Sequence, residues 1–114
     1  MLLVHLDDIN FTHRFPYRNR DFHHFLEEFF LFHGDKFLQP NDPNSNNSPA
    51  EWTLNRPFYF SGESHAGHYI PSMMDYILQR NDGILVPSES NGLQQIRVDI
   101  PLAGAAIGNG WMDP

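Results

Sequence analysis

The stretch RPFYFSGESHAGHYIPSMM, residues 56 to 74, constrains the fold more than any other part of this chain. Its first half, RPFYFSG, is an aromatic run ended by Ser61 and Gly62, which reads as a buried β-strand. From Ala66 onward, Tyr69, Ile70, Met73, Met74, Ile77 and Leu78 recur at spacings of three and four, the apolar face of a buried helix. Pro71 lacks an amide hydrogen and crowds the preceding turn, so a kink or restart is expected there, with Pro71 near the first position of the longer helical piece. Between strand and helix stand only Glu63, Ser64 and His65. A strand that passes into a helix through so short a turn is one element of an α/β reading.

The flanking segments extend this unit. DFHHFLEEFFLFHG, from Asp21, sets Phe22, Phe25, Leu26, Phe29 and Phe30 on one helical stripe, with Asp21 as cap and Gly34 as stop. His23, His24, Glu27 and Glu28 then fall on a solvated face with i,i+4 pairing; a zinc site would need further ligands at the usual spacing, which are missing. QPNDPNSNNSPAEW, residues 39 to 52, reads as a surface loop, and residues 81 to 95 as a turn-rich connection. IRVDIPLAGAAIGNG follows as a second strand, with Ile100, Leu102, Ala105 and Ile107 among small residues and Gly108-Asn109-Gly110 as its stop. Residues 1 to 20 show no clean period and are expected to be mostly irregular. Strand, helix, strand in this order implies one right-handed crossover unit of a parallel sheet.

Composition removes several functions. Seven basic and fourteen acidic residues leave a formal charge of -7, without the basic face that nucleic acid requires. No cysteine is present, hence no disulfide and no thiolate site. No stretch is long enough to span a bilayer, and the first residues are too short and too acidic for the apolar part of a signal peptide. Gly104, Gly108 and Gly110 lack dinucleotide spacing, no Gly-Lys-Ser/Thr occurs, and Met73 with Met74 is core packing, so no nucleotide, metal or other cofactor is expected. Asn10-Phe11-Thr12 and Asn46-Asn47-Ser48 match the glycosylation acceptor pattern, which matters only in the secretory pathway.

The chemistry concentrates at Ser64. A serine hydroxyl attacks a carbonyl only if it is exposed, supplied with a base and faced by donors for the oxyanion. A sharp strand-to-helix turn exposes it and aims the next amide at the oxyanion, provided that the residues two before and two after are small. Here they are Gly62 and Ala66.

These residues also resemble a family. SGESHAGHYIP is similar to the serine carboxypeptidase signature, Gly-Glu-Ser-Tyr-Ala-Gly followed by Tyr, an aliphatic residue and Pro. FLEEFF is similar to the family's preceding helix, and IPLAGAAIGNGWMDP to its following strand. The resemblance covers residues 21 to 114 and leaves 1 to 20 unplaced, so the chain reads as one partial peptidase domain. It implies a partial α/β-hydrolase fold: strand, nucleophile elbow, helix, strand, with an amphipathic helix before them. It further implies a serine-type carboxypeptidase that releases C-terminal amino acids from a peptide or protein substrate with a free C-terminus. Ser64 matches the nucleophile of the acyl-enzyme, the backbone amide of His65 an oxyanion donor, and Glu63 the acid that holds the substrate's terminal carboxylate. Two carboxylates share a hydrogen bond only if one keeps a proton, so acidic pH is favoured. The family also implies the secretory pathway, a vacuole or lysosome, or the extracellular space.

The chain departs from the family at three points. Position 65 is His where Tyr is usual, and its side chain, next to the nucleophile on such a turn, lines the cleft and is not the base. Residues 1 to 20 hold nothing like the Gly-rich stretch of the second oxyanion donor. No histidine follows His68, although the order in this fold is Ser, Asp, His. The chain is therefore expected to be a segment of a longer serine carboxypeptidase, with the triad Asp and His elsewhere, or the product of a truncated gene model, and these residues alone are expected to be inactive and poorly soluble or partly unfolded. Another α/β-hydrolase such as an esterase would explain the turn but not Glu63 or the Gly-Asn-Gly strand end. A non-catalytic binding remnant of the fold is the reading from a different class.

Overall fold

The computed structural model describes residues 2–6, 15–42, 44, 48–84 and 96–111. Both glycosylation patterns reach beyond these residues, as does most of the connection at 81 to 95. The elements run β1 (Leu2–Leu6), α1 (Phe15–Phe32), α2 (Gly34–Phe37), β2 (Leu38–Pro40), β3 (Trp52–Leu54), β4 (Phe58–Glu63), α3 (Ala66–Asn81), β5 (Val98–Asp99) and β6 (Leu102–Gly108). The architecture is mixed α/β.

The larger sheet has the order β1-β4-β6 and is parallel throughout. Its central strand is β4, in which Phe58, Phe60 and Gly62 are buried while Tyr59 and Ser61 are half-buried, as expected for a strand covered on both edges. The expected strand-helix-strand unit is present: β4 and β6 are parallel neighbours, with α3 between them in sequence. Pairing shifts by one residue between Phe58 opposite Leu102 and Tyr59 opposite Gly104, so Ala103 is the extra residue of a bulge. Beyond that bulge the register carries Glu63 opposite Gly108, which sets the ends of β4 and β6 level.

One cluster forms the core: Leu26 and Phe30 from α1, Phe58 and Phe60 from β4, Ala66, Tyr69, Ile70, Met73 and Ile77 from α3, with Leu54, Val98 and Ile100. The Phe30 ring meets Phe58 edge-on at 6.1 Å, and Phe22 packs on Phe60 at 6.1 Å. Each fully buried phenylalanine contributes about 1.5–3 kcal/mol by leaving water. Asn19 of α1 donates to the Ser72 hydroxyl of α3 at 2.6 Å and joins the two helices.

A smaller sheet has the order β2-β3-β5, with β2 and β3 antiparallel and β3 and β5 parallel. The surface loop expected at 39 to 52 is shorter than that, because Gln39 and Pro40 belong to β2 and Trp52 to β3, and it joins the two strands. Asn41 closes it with its backbone amide on Glu51 O at 3.0 Å and its side chain on Ala50 O at 2.9 Å.

Several expectations are corrected. Residues 1 to 20 are not mostly irregular: Leu2–Leu6 pairs with β4, and α1 begins at Phe15, so Asp21 lies inside a helix it was expected to cap. Five residues without a period of their own give no local sign of a strand, and β1 is set by its pairing with β4. Gly34 does not close the helical region but opens the short α2 after a turn at His33. The final strand is two strands. Pro101 cannot donate to a ladder, and at that point the chain passes from the small sheet to the large one, where Pro101 O accepts the Phe58 amide at 3.0 Å.

α3 runs without a break through Pro71, so no restart occurs there. Its ring is exposed, and the one helical bond lost is that to Gly67 O. The apolar stripes are also narrower than their spacing suggested, since Phe25, Phe29 and Leu78 are exposed. Conversely, the face of His23 and Glu27 is not solvated. Both side chains are buried, at 2% and 3% exposure, and they pair at 3.4 Å.

Candidate active site

β4 ends at Glu63 and α3 begins at Ala66, so the direction of the chain reverses within Ser64 and His65. Ser64 makes the turn with φ of 55°, in the left-handed region that costs a residue with a Cβ about 1–2 kcal/mol. Three backbone hydrogen bonds hold it there. Its amide donates to Gly108 O at 2.9 Å, continuing the β4–β6 ladder one step past the strands, and its carbonyl accepts from Gly67 N at 3.1 Å and Trp111 N at 2.8 Å. Gly62 and Ala66, the small residues on either side of the turn, are both buried. Glu63, Ser64 and His65 are exposed.

The neighbouring strand ends in the same way. Asn109, directly after β6, has φ of 46°, and it and Ser64 are the non-glycine residues with positive φ among those described. Two strained residues thus stand side by side at the carboxyl end of a parallel sheet, the edge at which open α/β sheets bind ligands.

His65 enters α3 as its first flanking residue, with helical angles and no side-chain cap. Among the described residues its amide hydrogen has no acceptor, as is usual for the first amides of a helix. Its ring lies 4.5 Å from that of Tyr69 and 5.1 Å from that of Trp111, and its Nδ1 is 3.0 Å from the Tyr69 hydroxyl. His68, one turn along the helix, meets both His65 and Trp111 edge-on at 5.3 Å and 5.1 Å. Neither imidazole hydrogen-bonds to Ser64, and among the described residues no hydrogen bond reaches the Ser64 hydroxyl.

The expected site residues Glu63, Ser64 and His65 therefore share one exposed turn. Trp111 was not singled out from the sequence, because its place beside the turn comes from a backbone bond to Ser64 that no spacing reveals. Among the described residues no group of three His, Asp or Glu could hold a metal ion, and no helix is long and apolar enough to cross a membrane.

Away from this turn, Glu27 reaches from α1 to the start of β5. Its carboxylate accepts the amides of Arg97 at 2.8 Å and Val98 at 3.1 Å, and Glu28 pairs with the Arg97 guanidinium. Burial raises the Glu27 carboxyl, but the His23 contact and the two amides outweigh it and hold it below the ordinary glutamate value. Asp99, on β5, goes the other way: burial raises it, assisted by the charge of Asp82 and opposed by hydrogen bonds from Ser48 and Thr53.

Comparison with known proteins places the chain. Residues 17–114 match the family described as serine carboxypeptidase. The chain is similar to "Serine carboxypeptidase S10 family member 2" of Dictyostelium discoideum, with 40% identity over 96 residues that make up 84% of this chain and 12% of the relative. It is 36% identical over 95 residues to "Pheromone-processing carboxypeptidase KEX1" of Phytophthora infestans, covering 83% of this chain and 13% of that protein. "Serine carboxypeptidase-like 50" of Arabidopsis thaliana is 43% identical over 60 residues, 53% of this chain and 10% of its own. The chain thus spans about an eighth of the length of the first two relatives. No solved structure matches. With every residue past the first sixteen inside the family match, this chain belongs to the serine carboxypeptidase family.

Proposed function

We propose that this chain is the nucleophile-bearing part of a serine-type carboxypeptidase with an α/β-hydrolase fold, and that it works within a longer polypeptide. The observation that carries the reading is Ser64 at φ of 55°, fixed through Gly108, Gly67 and Trp111 at the β4–α3 junction with its side chain exposed. Such a turn keeps the hydroxyl clear of the sheet and makes the following amide available to an oxyanion.

In this reading the Ser64 oxygen attacks the carbonyl carbon of the penultimate residue of a peptide. The His65 amide faces the developing negative charge, and Glu63 holds the terminal carboxylate of the substrate. The carbon–nitrogen bond then breaks, the C-terminal amino acid leaves after taking a proton, and water hydrolyses the ester on Ser64. A histidine and a carboxylate supplied from other segments of the longer chain take and return the proton. On their own, residues 1 to 114 hold the nucleophile without its base and do not turn over. Retention of Glu63 beside Ser64 favours a peptidase over an esterase, since an ester substrate offers no terminal carboxylate. We place the parent protein in the secretory pathway, a vacuole or lysosome, or outside the cell.

The test is the full-length protein with a fluorophosphonate probe and a blocked dipeptide. Labelling at Ser64, with release of the C-terminal amino acid that disappears in Ser64→Ala, is the expected result. A folded full-length protein that neither labels nor cleaves would end the proposal. Replacing Glu63 by Gln is expected to flatten the acid preference of KM, and an unchanged pH dependence would remove that role from Glu63.

A further inference from the structure

The exposed surface next to Ser64 is a shelf of aromatic rings with one polar edge. His65 and Trp111 lie with centroids 5.1 Å apart and their planes inclined at 41°, and both residues are open to solvent. Two backbone attachments fix the shelf relative to the hydroxyl: His65 is the next residue in the chain, and the Trp111 amide donates to the Ser64 carbonyl. Tyr69 supports the His65 ring from behind, at 4.5 Å, and its hydroxyl occupies Nδ1 at 3.0 Å. Among the described residues nothing hydrogen-bonds Nε2. With the tyrosine hydroxyl donating to Nδ1, or with the imidazole protonated, Nε2 carries a hydrogen and is a donor.

Resting on the reading of Ser64 as nucleophile, we propose that His65 selects substrates whose penultimate residue carries a carboxylate or amide side chain. That side chain branches from the carbon bonded to the attacked carbonyl, so it must lie within a few ångströms of the Ser64 oxygen. Glu63 is committed to the terminal carboxylate on the other side of the scissile bond. The side chain of the penultimate residue then meets the His65–Trp111 shelf, its methylene groups against the indole and its acceptor oxygen at His65 Nε2. A tyrosine at position 65 would offer a ring of similar breadth with its hydroxyl farther out, so the polar edge at this depth belongs to the histidine. A site with a hydrogen-bonding group rejects an analogue that lacks the matching acceptor, because the group is left without a partner.

The experiment measures kcat/KM of the full-length protein on three blocked dipeptides that differ only in the penultimate residue: Glu, Gln and Met, which are close in length. Wild type is expected to prefer Glu and Gln over Met by about tenfold, the effect of one hydrogen bond to a charged or strongly polar group. In His65→Phe the Glu-to-Met and Gln-to-Met ratios are expected to fall to near one. A ratio within one variant is insensitive to a general loss of activity or folding, and His65→Tyr provides a second replacement should the phenylalanine variant not fold. Equal rates on all three peptides in wild type, with Ser64 labelled, overturn the selection by His65 while leaving the nucleophile in place. A preference for Met, the mark of a purely apolar shelf, overturns it as well. Failure of Ser64 to label overturns the nucleophile reading and the selection together.

Discussion

Removing the carboxylate of Glu27 is expected to release β5 before it affects any other element. Glu27 is 3% exposed and accepts two backbone amides, those of Arg97 and Val98, while pairing with His23. In Glu27→Ala both amides lose their acceptor in a setting where Val98 is fully buried. At about 1–3 kcal/mol for each buried group left unsatisfied, the loss is about 2–6 kcal/mol. That is a large share of the 5–15 kcal/mol that a whole domain typically retains, on the order of total stability. Glu27→Gln keeps the shape and one acceptor oxygen but loses the charge, so about 1.5–3 kcal/mol is expected to go.

The pH dependence gives the sharper test. Folding holds the Glu27 carboxyl below its ordinary value of 4.5. The unfolded chain therefore takes up the proton first as pH falls, and the carboxylate's contribution is complete above 4.5 and lost as pH passes down through the folded value. Denaturant unfolding of the full-length protein should show a gap between wild type and Glu27→Gln that is present above 4.5 and closes in stronger acid. Hydrogen exchange supplies the local readout, since the Arg97 and Val98 amides should exchange faster in Glu27→Gln than amides within β4. A gap that persists unchanged at pH 3, or exchange at those two amides that matches wild type, would refute the reasoning.

Asp99 carries the opposite sign: its raised pKa means that stability increases as pH falls through the folded value, and Asp99→Asn should be neutral or stabilising near pH 7, read from thermal unfolding. Ser64→Gly should raise stability by about 1 kcal/mol while abolishing probe labelling, because glycine adopts positive φ freely; a loss of stability would show that the turn is not strained. Ala66→Leu should cost about 1–3 kcal/mol in the same melts, since Ala66 is 3% exposed where strand and helix close on each other. Phe32 is 83% exposed and Phe25 59%, so Phe32→Lys together with Phe25→Lys should lower aggregation of the isolated 114-residue chain in light scattering, with little effect on its helicity. Scattering equal to wild type would place the sticky surface at the edges of the large sheet instead.

What the sequence disclosed follows the range of the interactions involved. β4, the turn and α3 were legible from residues 58 to 81 because one aromatic run, one small-residue turn and one helical stripe specify each other locally. Leu2–Leu6 was not. Its only assignment comes from pairing with residues more than fifty positions away, and five residues beside an acidic stretch carry no period of their own. The face of His23 and Glu27 misled for a related reason: polarity at i,i+4 spacing normally marks solvent, but here one Glu27 oxygen accepts the amides of Arg97 and Val98 at the start of β5, about seventy residues on. Phe25 and Phe29 misled in the other direction, since a stripe of five aromatic and aliphatic positions is wider than the contact that α1 makes with β4.

The same long-range logic explains how a site on one turn depends on the whole chain. Gly108 reaches Ser64 only because Ala103 is bulged, and the bulge follows Pro101, where the chain leaves the small sheet. The approach to Pro101 is set in turn by side chains. Asn81 at the end of α3 holds Ile100 through both its amide and its carbonyl, at 3.1 Å and 2.8 Å, and Glu27 holds the two amides before it. Clamps from α1 and α3 therefore fix residues 97 to 100, and from there the register of β6 follows residue by residue to Gly108 and Trp111. Loosening either clamp should be felt at Ser64 as a less constrained turn, although the hydrogen bonds of Glu27 and Asn81 go to residues 97 to 100 and not to Ser64. Asn81→Ala tests this directly: with two polar bonds gone, the Ser64 and Trp111 amides should lose protection from exchange together. Protection unchanged at both would mean that the β4–β6 ladder holds the turn without help from the small sheet.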